Sequence, residues 1–390
     1  MTFVQFSPVK LIFGAGALNK LRSEQLPGRK ALLLTSRGTS VVKNGSLART
    51  EDALKTQGVE YVHVAAVEPN PLSTTVMACE KRAREEGCDF IVALGGGSVM
   101  DCAKAVAIVS TNPGDIWDYA PAGHGGRKPI AIDPLPIVAI TTTAGTGSEV
   151  DGGGVITNPA TREKMGIGGH INLFPKIAVV DPELMLTVPA HLTAYQGFDA
   201  LFHAVEGYVT KRPTLLSDMY ALEAVRHIAK GLARAVKDGM DLEARTHVAF
   251  ANTLSGYVMT MTRLTSQHAM EHALSAFHQE LPHGAGLIML SLAYFGHMIQ
   301  TGARSQRFVE LARALGNRDA VHPEDFLRGL HELQAACGVA DLKMSDYGIT
   351  RSEIQALAEN ARSAGAGGFE QDPVALTFED TVSIYEAAYR

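Results

Sequence analysis

The sequence predicts two domains of different class, an α/β domain followed by an all-helical domain. Up to about residue 185, short apolar runs of strand length alternate with helical patterns, which is typical of a parallel sheet wrapped by helices. Beyond that point the strand-like runs stop and long helical patterns take over. The 390 residues, 46% of them hydrophobic, suffice for two cores. The predicted domains are therefore 1–185 and 186–390.

Five apolar runs are the predicted strands of the first domain. They are KALLLTS (30–36), YVHVAAV (61–67), FIVALG (90–95), LPIVAIT (135–141) and KIAVVD (176–181). Between them, TTVMACEKRAREEG (74–87) has apolar positions on one face and charges on the other, as in a helix that covers a sheet. In the second domain, SDMYALEAVRHIAKGLARAVKDG (217–239) is the clearest predicted helix.

The composition argues against two classes of partner. Charged residues of both signs are interspersed and sum to a formal net charge of −6, so neither a nucleic-acid-binding face nor a membrane-binding basic segment is expected. The four cysteines form no C-x-x-C pair, which favours reduced thiols. The sequence has no charged leader with a long apolar core and no apolar run of membrane-spanning length. We therefore expect a cytoplasmic protein with a small-molecule substrate.

Two loops that follow predicted strands have the composition of a phosphate-binding site. Gly95, Gly96, Gly97 and Ser98 lead directly into a helical pattern, and a turn without β-carbons lets an anion approach the positive end of a helix. Taken alone, this turn is equally compatible with tight packing. The segment TTTAGTGSE (141–149) follows the next strand and offers hydroxyls for phosphate or ribose. Since open α/β sheets bind ligands at the carboxyl ends of their strands, the two loops predict a dinucleotide site.

Carboxylate and imidazole groups recur at chelating spacing in the helical half. Asp199 and His203 are four residues apart, as are His268 and His272, and such pairs lie on one face of a helix. His283 follows shortly afterwards, at the start of an apolar run. Imidazoles combined with a carboxylate suit a borderline divalent cation such as Fe²⁺ or Zn²⁺ better than Ca²⁺ or Mg²⁺.

The order and spacing of several motifs resemble those of the iron-dependent (group III) alcohol dehydrogenases. The motifs are GGGS followed by Asp101 and Lys104, then TTAGTGSE, FPKIAVVDPEL, GFDALFHAVEGY, HAMEH and PHG. The resemblance covers the whole chain and implies a nicotinamide-dinucleotide-binding α/β domain, a helical metal-binding domain of dehydroquinate synthase-like architecture, and an active site between them. It also implies a homodimer or higher homo-oligomer that pairs through the N-terminal strand, PVKLIFG (8–14).

The resemblance further implies roles for individual residues. Asp199, His203, His268 and His283 match the metal ligands, with Fe²⁺ expected before Zn²⁺. His272 matches a histidine that lies near the nicotinamide and relays a proton without binding metal. The expected residues of the NAD or NADP site are Ser36, Asn70, Gly96, Gly97, Ser98, Asp101, Thr142, Thr143, Thr146, Ser148 and Lys164.

The sequence departs from the family pattern at four places, which are Ser36 with Arg37, the glycine run 152–154, Met259 where an aromatic is common, and Thr265 where glycine is common. Ser36 and Arg37 stand where many relatives have Asp after the strand. Without that carboxylate a 2′-phosphate is not repelled, so we expect NADP(H) to be accepted at least as well as NAD(H). Gly152, Gly153 and Gly154 stand where larger residues are common, which predicts a larger substrate pocket and better activity on alcohols of four or more carbons.

The expected function is a metal-dependent alcohol dehydrogenase or aldehyde reductase that transfers hydride between NAD(P) and a small primary alcohol or aldehyde. The nearest alternative is a dehydroquinate synthase-like or glycerol dehydrogenase-like enzyme that acts on a polyol or phosphorylated substrate. A phosphorylated substrate needs several cations near the metal, whereas Arg263 lies about 180° from His272 by helical phase. A non-haem oxygenase or a non-enzymatic metal-binding protein leaves the two phosphate-type loops without a role.

Overall fold

The computed structural model describes residues 3–390, which divide into two compact units. One unit is Phe6–Thr187, and the other is Val188–Arg390 together with residues 3–5. All the strands assigned in the described chain belong to the first unit, and the second is built from helices. The fold class expected from the sequence is therefore confirmed.

The first unit, called the α/β unit below, alternates strands and helices. Its strands are β1 (Lys10–Phe13), β2 (Lys30–Ser36), β3 (Glu60–Val67), β4 (Phe90–Gly95), β5 (Ile137–Thr141), β6 (Gly153–Asn158), β7 (Glu163–Gly168) and β8 (Ile177–Val180). Its helices are α1 (Ser40–Lys43), α2 (Ser46–Thr56), α3 (Ser73–Glu86) and α4 (Gly97–Val109). The predicted strand 90–95 has the same bounds as β4, and the predicted helix 74–87 differs from α3 by one residue at each end.

Six strands form a parallel sheet in the order β1-β8-β5-β4-β2-β3. From β2 the chain moves outward to β3, whereas from β4 it moves in the opposite direction to β5. The direction therefore reverses between β2 and β4, and doubly wound sheets bind ligands at the carboxyl ends of two such strands. Ser36 and Gly95 are the last residues of β2 and β4.

Both faces of this sheet are buried. On one face, Leu33, Val92 and Ile140 belong to a core cluster that also contains Leu54 of α2. The residues between them along the strands are equally inaccessible, as shown by Leu32. Burial on both faces explains why these strands appear in the sequence as continuous apolar runs rather than as alternating patterns.

The second unit, called the helical unit below, consists of ten helices within its described residues. They are α5 (Ala190–Val209), α6 (Leu215–Lys237), α7 (Leu242–Met261), α8 (Ser266–Phe277), α9 (His283–Gln300), α10 (Ser305–Ala314), α11 (Glu324–Ala336), α12 (Ile354–Ala364), α13 (Ala366–Phe369) and α14 (Phe378–Ala388). The predicted helix 217–239 corresponds to α6, which begins two residues earlier because Thr214 and Ser217 form a capping box. Across residues 3–390, no helix combines the length and the apolar character that a membrane span needs.

Candidate active site

Three of the four predicted metal ligands converge in the helical unit. One ligand-type atom from each of Asp199, His268 and His283 lies within 4.8 Å of the other two. Oδ1 of Asp199 is 3.3 Å from Nε2 of His268 and 3.6 Å from Nε2 of His283. Asp199 lies on α5, His268 lies on α8, and His283 is the first residue of α9. Three helices therefore contribute one group each to this ligand cluster.

The fourth predicted ligand, His203, adjoins the cluster. It lies one turn after Asp199 on α5, and its Nδ1 is 3.4 Å from Asp199 Oδ1. Its ring stacks on the ring of His268, with centroids 4.3 Å apart and planes inclined by 22°. It is not a member of the set whose ligand-type atoms all lie within 4.8 Å of one another. Ligation by His203 stays a prediction.

The charges of the cluster favour a bound cation. Burial disfavours the ionised form of Asp199, but the facing imidazoles of His203, His268 and His283 outweigh burial and hold the pKa of its carboxyl well below the usual range. Burial also disfavours the charged form of His268, yet Glu206 and Asp199 outweigh it and raise the pKa of that imidazole to about 10. Buried carboxylates therefore give the site a field that stabilises positive charge.

Two carboxylates behind the cluster were not identified from the sequence. Nδ1–H of His268 donates to Glu206, and Nδ1–H of His283 donates to Glu271. Both glutamate side chains are fully buried. A signal for them was present, since Glu206 lies three residues after His203 and Glu271 lies three residues after His268 on the same helices. Glutamate is usually exposed, so that spacing alone did not reveal two buried carboxylates.

His272 lies beside the ligand cluster. Its ring centroid is 5.4 Å from that of His283 and 6.3 Å from that of His268. With Glu271 and His283 it also forms a second set of ligand-type atoms within 4.8 Å of one another. The side chain is half-buried. This position suits a group that exchanges protons between the cluster and solvent, and that role stays a prediction.

Two other polar residues considered from the sequence, His278 and Arg263, lie outside the ligand cluster. His278 follows the end of α8, and its Nε2 is 3.1 Å from Oε1 of Glu353. Arg263 lies in the segment between α7 and α8. Because that segment is not helical, the helical-phase argument that placed Arg263 opposite His272 does not apply.

In the α/β unit, the two predicted phosphate-type loops lie side by side. A β-carbon on Gly96 would lie 2.7 Å from Oγ1 of Thr143, and one on Gly97 would lie 2.3 Å from Cγ2 of Thr146. Glycine is thus required at both positions for the loops to approach each other. Helix α4 begins at Gly97, so the N–H groups of its first turn, at the positive end of the helix dipole, lie next to both loops. Gly96, Gly97, Thr143 and Thr146 are all predicted cofactor-binding residues.

A buried polar network ties the second loop to α4. Nζ of Lys104 donates to Oγ of Ser148 at 2.8 Å and to Oδ1 of Asp151 at 2.6 Å. Oγ of Ser148 donates to Oδ1 of Asp101 at 2.7 Å, and N–H of Val155 donates to Oδ2 of Asp101 at 2.9 Å. Burial, opposed by Lys104, raises the pKa of Asp101 to about 6. The contacts of Asp101 and Ser148 support a role in holding the loop, and their cofactor binding stays a prediction.

The remaining predicted cofactor-binding residues occupy neighbouring loops and strands of the unit. Nζ of Lys164, on β7, donates to Oδ1 of Asn70 at 3.0 Å, and both residues are buried. Asn70 has a φ of 52°, the left-handed region that asparagine tolerates better than most residues. The backbone N–H of Thr142 donates to the carbonyl of Gly95, and Ser98 lies in the first turn of α4.

A carboxylate from another strand lies at the end of β2, and it was not expected there from the sequence. Arg37 follows Ser36, and its Nη2 is 2.5 Å from Oε2 of Glu68, while its Nε donates to the carbonyl of Ala66 at 2.8 Å. The other oxygen of Glu68 accepts a hydrogen bond from N–H of Leu72 at 2.9 Å. Glu68, which directly follows β3, therefore places a carboxylate beside the loop after β2, where the sequence itself has no acidic residue.

The glycine run 152–154 serves packing within the α/β unit. A β-carbon on Gly152 would lie 2.5 Å from the ring of Phe174, and one on Gly154 would lie 2.9 Å from the backbone of Asp101. Gly153, which begins β6, has no such neighbour nearer than 4.0 Å. The space beside Gly152 and Gly154 is thus filled, so these two glycines do not by themselves enlarge a pocket.

Comparison with protein families accounts for both units. The model of the iron-containing alcohol dehydrogenases matches residues 8–182, and the model of the C-terminal region of the Fe-containing alcohol dehydrogenase family matches residues 193–389. The chain belongs to the iron-containing alcohol dehydrogenase family. The family expected from the sequence motifs of this alcohol dehydrogenase is thereby confirmed.

Individual relatives resemble this iron-containing alcohol dehydrogenase over 90% or more of each chain. The 1,3-propanediol dehydrogenase of Citrobacter freundii is 36% identical over 361 residues, with 90% of each chain covered. The probable NADH-dependent butanol dehydrogenase 1 of Bacillus subtilis strain 168 is 31% identical, with 99% of each chain covered. Among solved structures, an archaeal halo-thermophilic alcohol dehydrogenase from a Red Sea brine pool matches with a TM-score of 0.93 at 35% identity, covering 100% of this chain and 99% of that one.

Proposed function

We propose that this enzyme interconverts small primary alcohols and aldehydes by exchanging hydride with a nicotinamide dinucleotide, and that Asp199, His203, His268 and His283 hold a divalent metal. The observation that carries the proposal is the convergence of Asp199, His268 and His283 from three helices. Imidazoles and one carboxylate suit a borderline divalent ion, and we propose Fe²⁺ before Zn²⁺. The helical unit then holds the metal, and the α/β unit binds the dinucleotide.

The protein's own residues have distinct tasks in this proposal. When bound, a divalent metal supplies Lewis acidity and a nicotinamide supplies the acceptor or donor of hydride. Asp199, His268 and His283 would hold the metal, and the buried carboxylates of Glu206 and Glu271 would stabilise its charge. His272, half-buried beside His283, exchanges the proton of the alcohol with solvent.

The dinucleotide site is proposed at the carboxyl ends of β2 and β4, where the sheet changes direction. The loops that carry Gly96 and Thr143 pack together there, beside the first turn of α4. We propose that the enzyme binds both NAD(H) and NADP(H), and that Glu68 favours NAD(H). The Arg37 side chain is 64% exposed whereas that of Glu68 is 13% exposed, so the guanidinium stays open to solvent and a 2′-phosphate can compete for it.

Glu68→Gln is expected to shift binding toward NADP(H) by about tenfold relative to NAD(H), which is about 1.4 kcal/mol. The change frees the Arg37 guanidinium and removes a carboxylate that repels the 2′-phosphate. Dissociation constants of NADPH and NADH, measured by fluorescence titration, give the ratio directly. The matched control combines Glu68→Gln with Arg37→Ala and should lose the part of the gain that the guanidinium supplies, while keeping the part that comes from removing the carboxylate. An unchanged ratio in Glu68→Gln would show that other residues determine cofactor choice.

We propose that the substrates are primary alcohols of three to four carbons, because similar relatives are named for 1,3-propanediol and butanol. Each additional buried methylene contributes about 0.8 kcal/mol, or about fourfold in kcat/KM. Efficiency should therefore rise from methanol through ethanol and propanol to butanol. A panel that also contains 1,3-propanediol and glycerol tests the polyol alternative. A higher kcat/KM for methanol than for butanol would contradict the proposal.

We also propose that the enzyme is cytoplasmic and forms a homodimer or higher homo-oligomer. All four cysteines are free, which suits a reducing compartment. Strand β1 lies at the edge of the six-stranded sheet and leaves backbone groups available for pairing with another chain. Sedimentation equilibrium measures the oligomeric state, and a concentration-independent monomer would contradict assembly.

A further inference from the structure

Two rings of the ligand cluster have a carboxylate at each of their nitrogens. Nδ1 of His268 faces Glu206, whereas its Nε2 faces Asp199 at 3.3 Å. Nδ1 of His283 faces Glu271, whereas its Nε2 faces Asp199 at 3.6 Å. In both rings the nitrogen on the glutamate side is the one turned away from the shared aspartate.

This arrangement determines where the ring hydrogen resides. An ionised carboxylate has only acceptor atoms, so the bond to each glutamate requires the hydrogen on Nδ1. Once a cation takes the place of the second ring proton, the ring presents its lone pair on Nε2, the atom that faces Asp199. Metal ligation needs that lone pair, because a protonated ring nitrogen cannot bind a cation. Both glutamates thus select the tautomer that the proposed ligand set requires.

Glu206 is itself held in place by α8. Its second oxygen accepts a hydrogen bond from the hydroxyl of Thr265 at 3.0 Å. The next residue, Ser266, begins α8 and donates from N–H and Oγ to Asp372 at 2.9 and 2.7 Å. Glu206 on α5 therefore joins the ring of His268 to the anchored start of the helix that carries that ring.

Glu271 occupies space that a glycine on α9 provides. A β-carbon on Gly286 would lie 2.8 Å from Cγ of Glu271. Gly286 lies one turn after His283 on that helix. Any larger residue there would displace the glutamate from the ring that it contacts, so the packing of α8 against α9 fixes the carboxylate next to Nδ1 of His283.

We propose that Glu206 and Glu271 are positioning residues that fix the Nδ1–H tautomer and the ring orientation of His268 and His283, and so raise the affinity of the site for its divalent metal. Neither glutamate is assigned as a ligand. The inference rests on the proposed metal site. Loss of such an outer carboxylate lowers metal affinity by about 10- to 100-fold.

The test is the metal affinity of purified full-length Glu206→Gln and Glu271→Gln, measured without substrate or cofactor. Glutamine keeps the size of the side chain and an acceptor oxygen but removes the charge that strengthens the bond to Nδ1–H. Titration with Co²⁺ against a competing chelator should show about 10- to 100-fold weaker binding in each variant. The visible absorption of bound Co²⁺ should also change, because ring orientation alters the coordination geometry.

Glu310→Gln is the matched control. Glu310 accepts hydrogen bonds from the hydroxyl of Tyr208 on α5 and from the side-chain amide of Gln306 rather than from a ligand histidine. Its replacement should leave Co²⁺ affinity and the Co²⁺ spectrum unchanged. If loss of a carboxylate acted only on the structure, Glu206→Gln, Glu271→Gln and Glu310→Gln would all have a lower unfolding temperature. Their Co²⁺ affinities would then not differ between the first two variants and the control.

The outcomes separate this inference from the metal site on which it rests. Asp199→Asn should weaken Co²⁺ binding if the site is correct. Wild-type affinity in folded Glu206→Gln and Glu271→Gln, alongside weak binding by Asp199→Asn, overturns the role of the glutamates alone. Wild-type affinity in Asp199→Asn overturns both. If the glutamine variants do not fold, Thr265→Val removes only the hydroxyl that holds Glu206, and undiminished Co²⁺ affinity in it counts against the proposal.

Discussion

Alcohol oxidation is expected to fall below detection in His268→Ala, and the metal content of that variant is expected to fall with it. The ring of His268 bonds to Asp199 through Nε2 and to Glu206 through Nδ1, so its loss removes one ligand and leaves both carboxylates without a partner at that position. Glu206 keeps Thr265 as a partner and Asp199 keeps His203 and His283, so the cost is that of the lost bonds to charged groups, about 1.5–3 kcal/mol each. The remaining core of the helical unit should keep the variant folded. Elemental analysis, circular dichroism and an assay of reduced nicotinamide test the three statements.

His278→Ala is the matched control for this variant. His278 belongs to the same histidine-rich segment, but it bonds to Glu353 rather than to the ligand cluster. Its replacement should leave both metal content and turnover near the wild-type values. Chelation of the wild type followed by return of Fe²⁺ should remove and restore activity. Full turnover in protein shown to be free of metal would contradict the assigned site.

His272→Ala should retain the metal and lose roughly 10²- to 10⁴-fold in kcat, the range expected for a positioned proton-transfer group. The ring lies 5.4 Å from that of His283 by centroids and is half-buried. It can therefore reach both the cluster and solvent without being one of the proposed ligands. Steady-state kinetics and metal analysis of the same preparation give the two quantities.

The metal content of His272→Ala also distinguishes two roles for this residue. Glu271, His272 and His283 form a second set of ligand-type atoms within 4.8 Å of one another. Stoichiometric loss of metal from the variant would make His272 a ligand and the proton-transfer assignment wrong. Retained metal together with wild-type kcat would make it a packing residue.

The sequence predicted most of the fold because each type of burial leaves its own pattern. Strands such as β4 are buried on both faces and therefore appear as short, uninterrupted apolar runs between glycines. The β6–β7 hairpin was not predicted, since Gly153 and Gly154 open β6 and supply no β-branched side chains. Their use is tertiary, because Gly154 allows the backbone to approach Asp101.

The candidate site was predicted only in its local parts. Spacing along α5 and α8 paired Asp199 with His203 and His268 with His272, but it could not show that α5, α8 and α9 meet. Burial of Glu206 could not be predicted from the sequence, because a buried glutamate needs a hydrogen-bond donor, and here that donor comes from His268 on another helix.

The surroundings of the end of β2 also could not be predicted from the local sequence. The loop after β2 lacks an acidic residue, and this local pattern predicts that no carboxylate opposes a 2′-phosphate. The structure shows Glu68, which follows β3, paired with Arg37. Residues that are distant in sequence reach one sheet edge through strand order, which local patterns do not record.

The central claim is that a nicotinamide dinucleotide receives hydride from a primary alcohol at the metal site of this protein. The most direct measurement uses butanol deuterated at carbon 1, oxidised NAD or NADP, and mass spectrometry of the reduced cofactor. We predict that reduced cofactor from the metal-loaded protein carries the deuterium, and that the chelated protein produces none. Reduced cofactor without deuterium, or equal amounts of labelled cofactor from metal-free protein, would contradict the account.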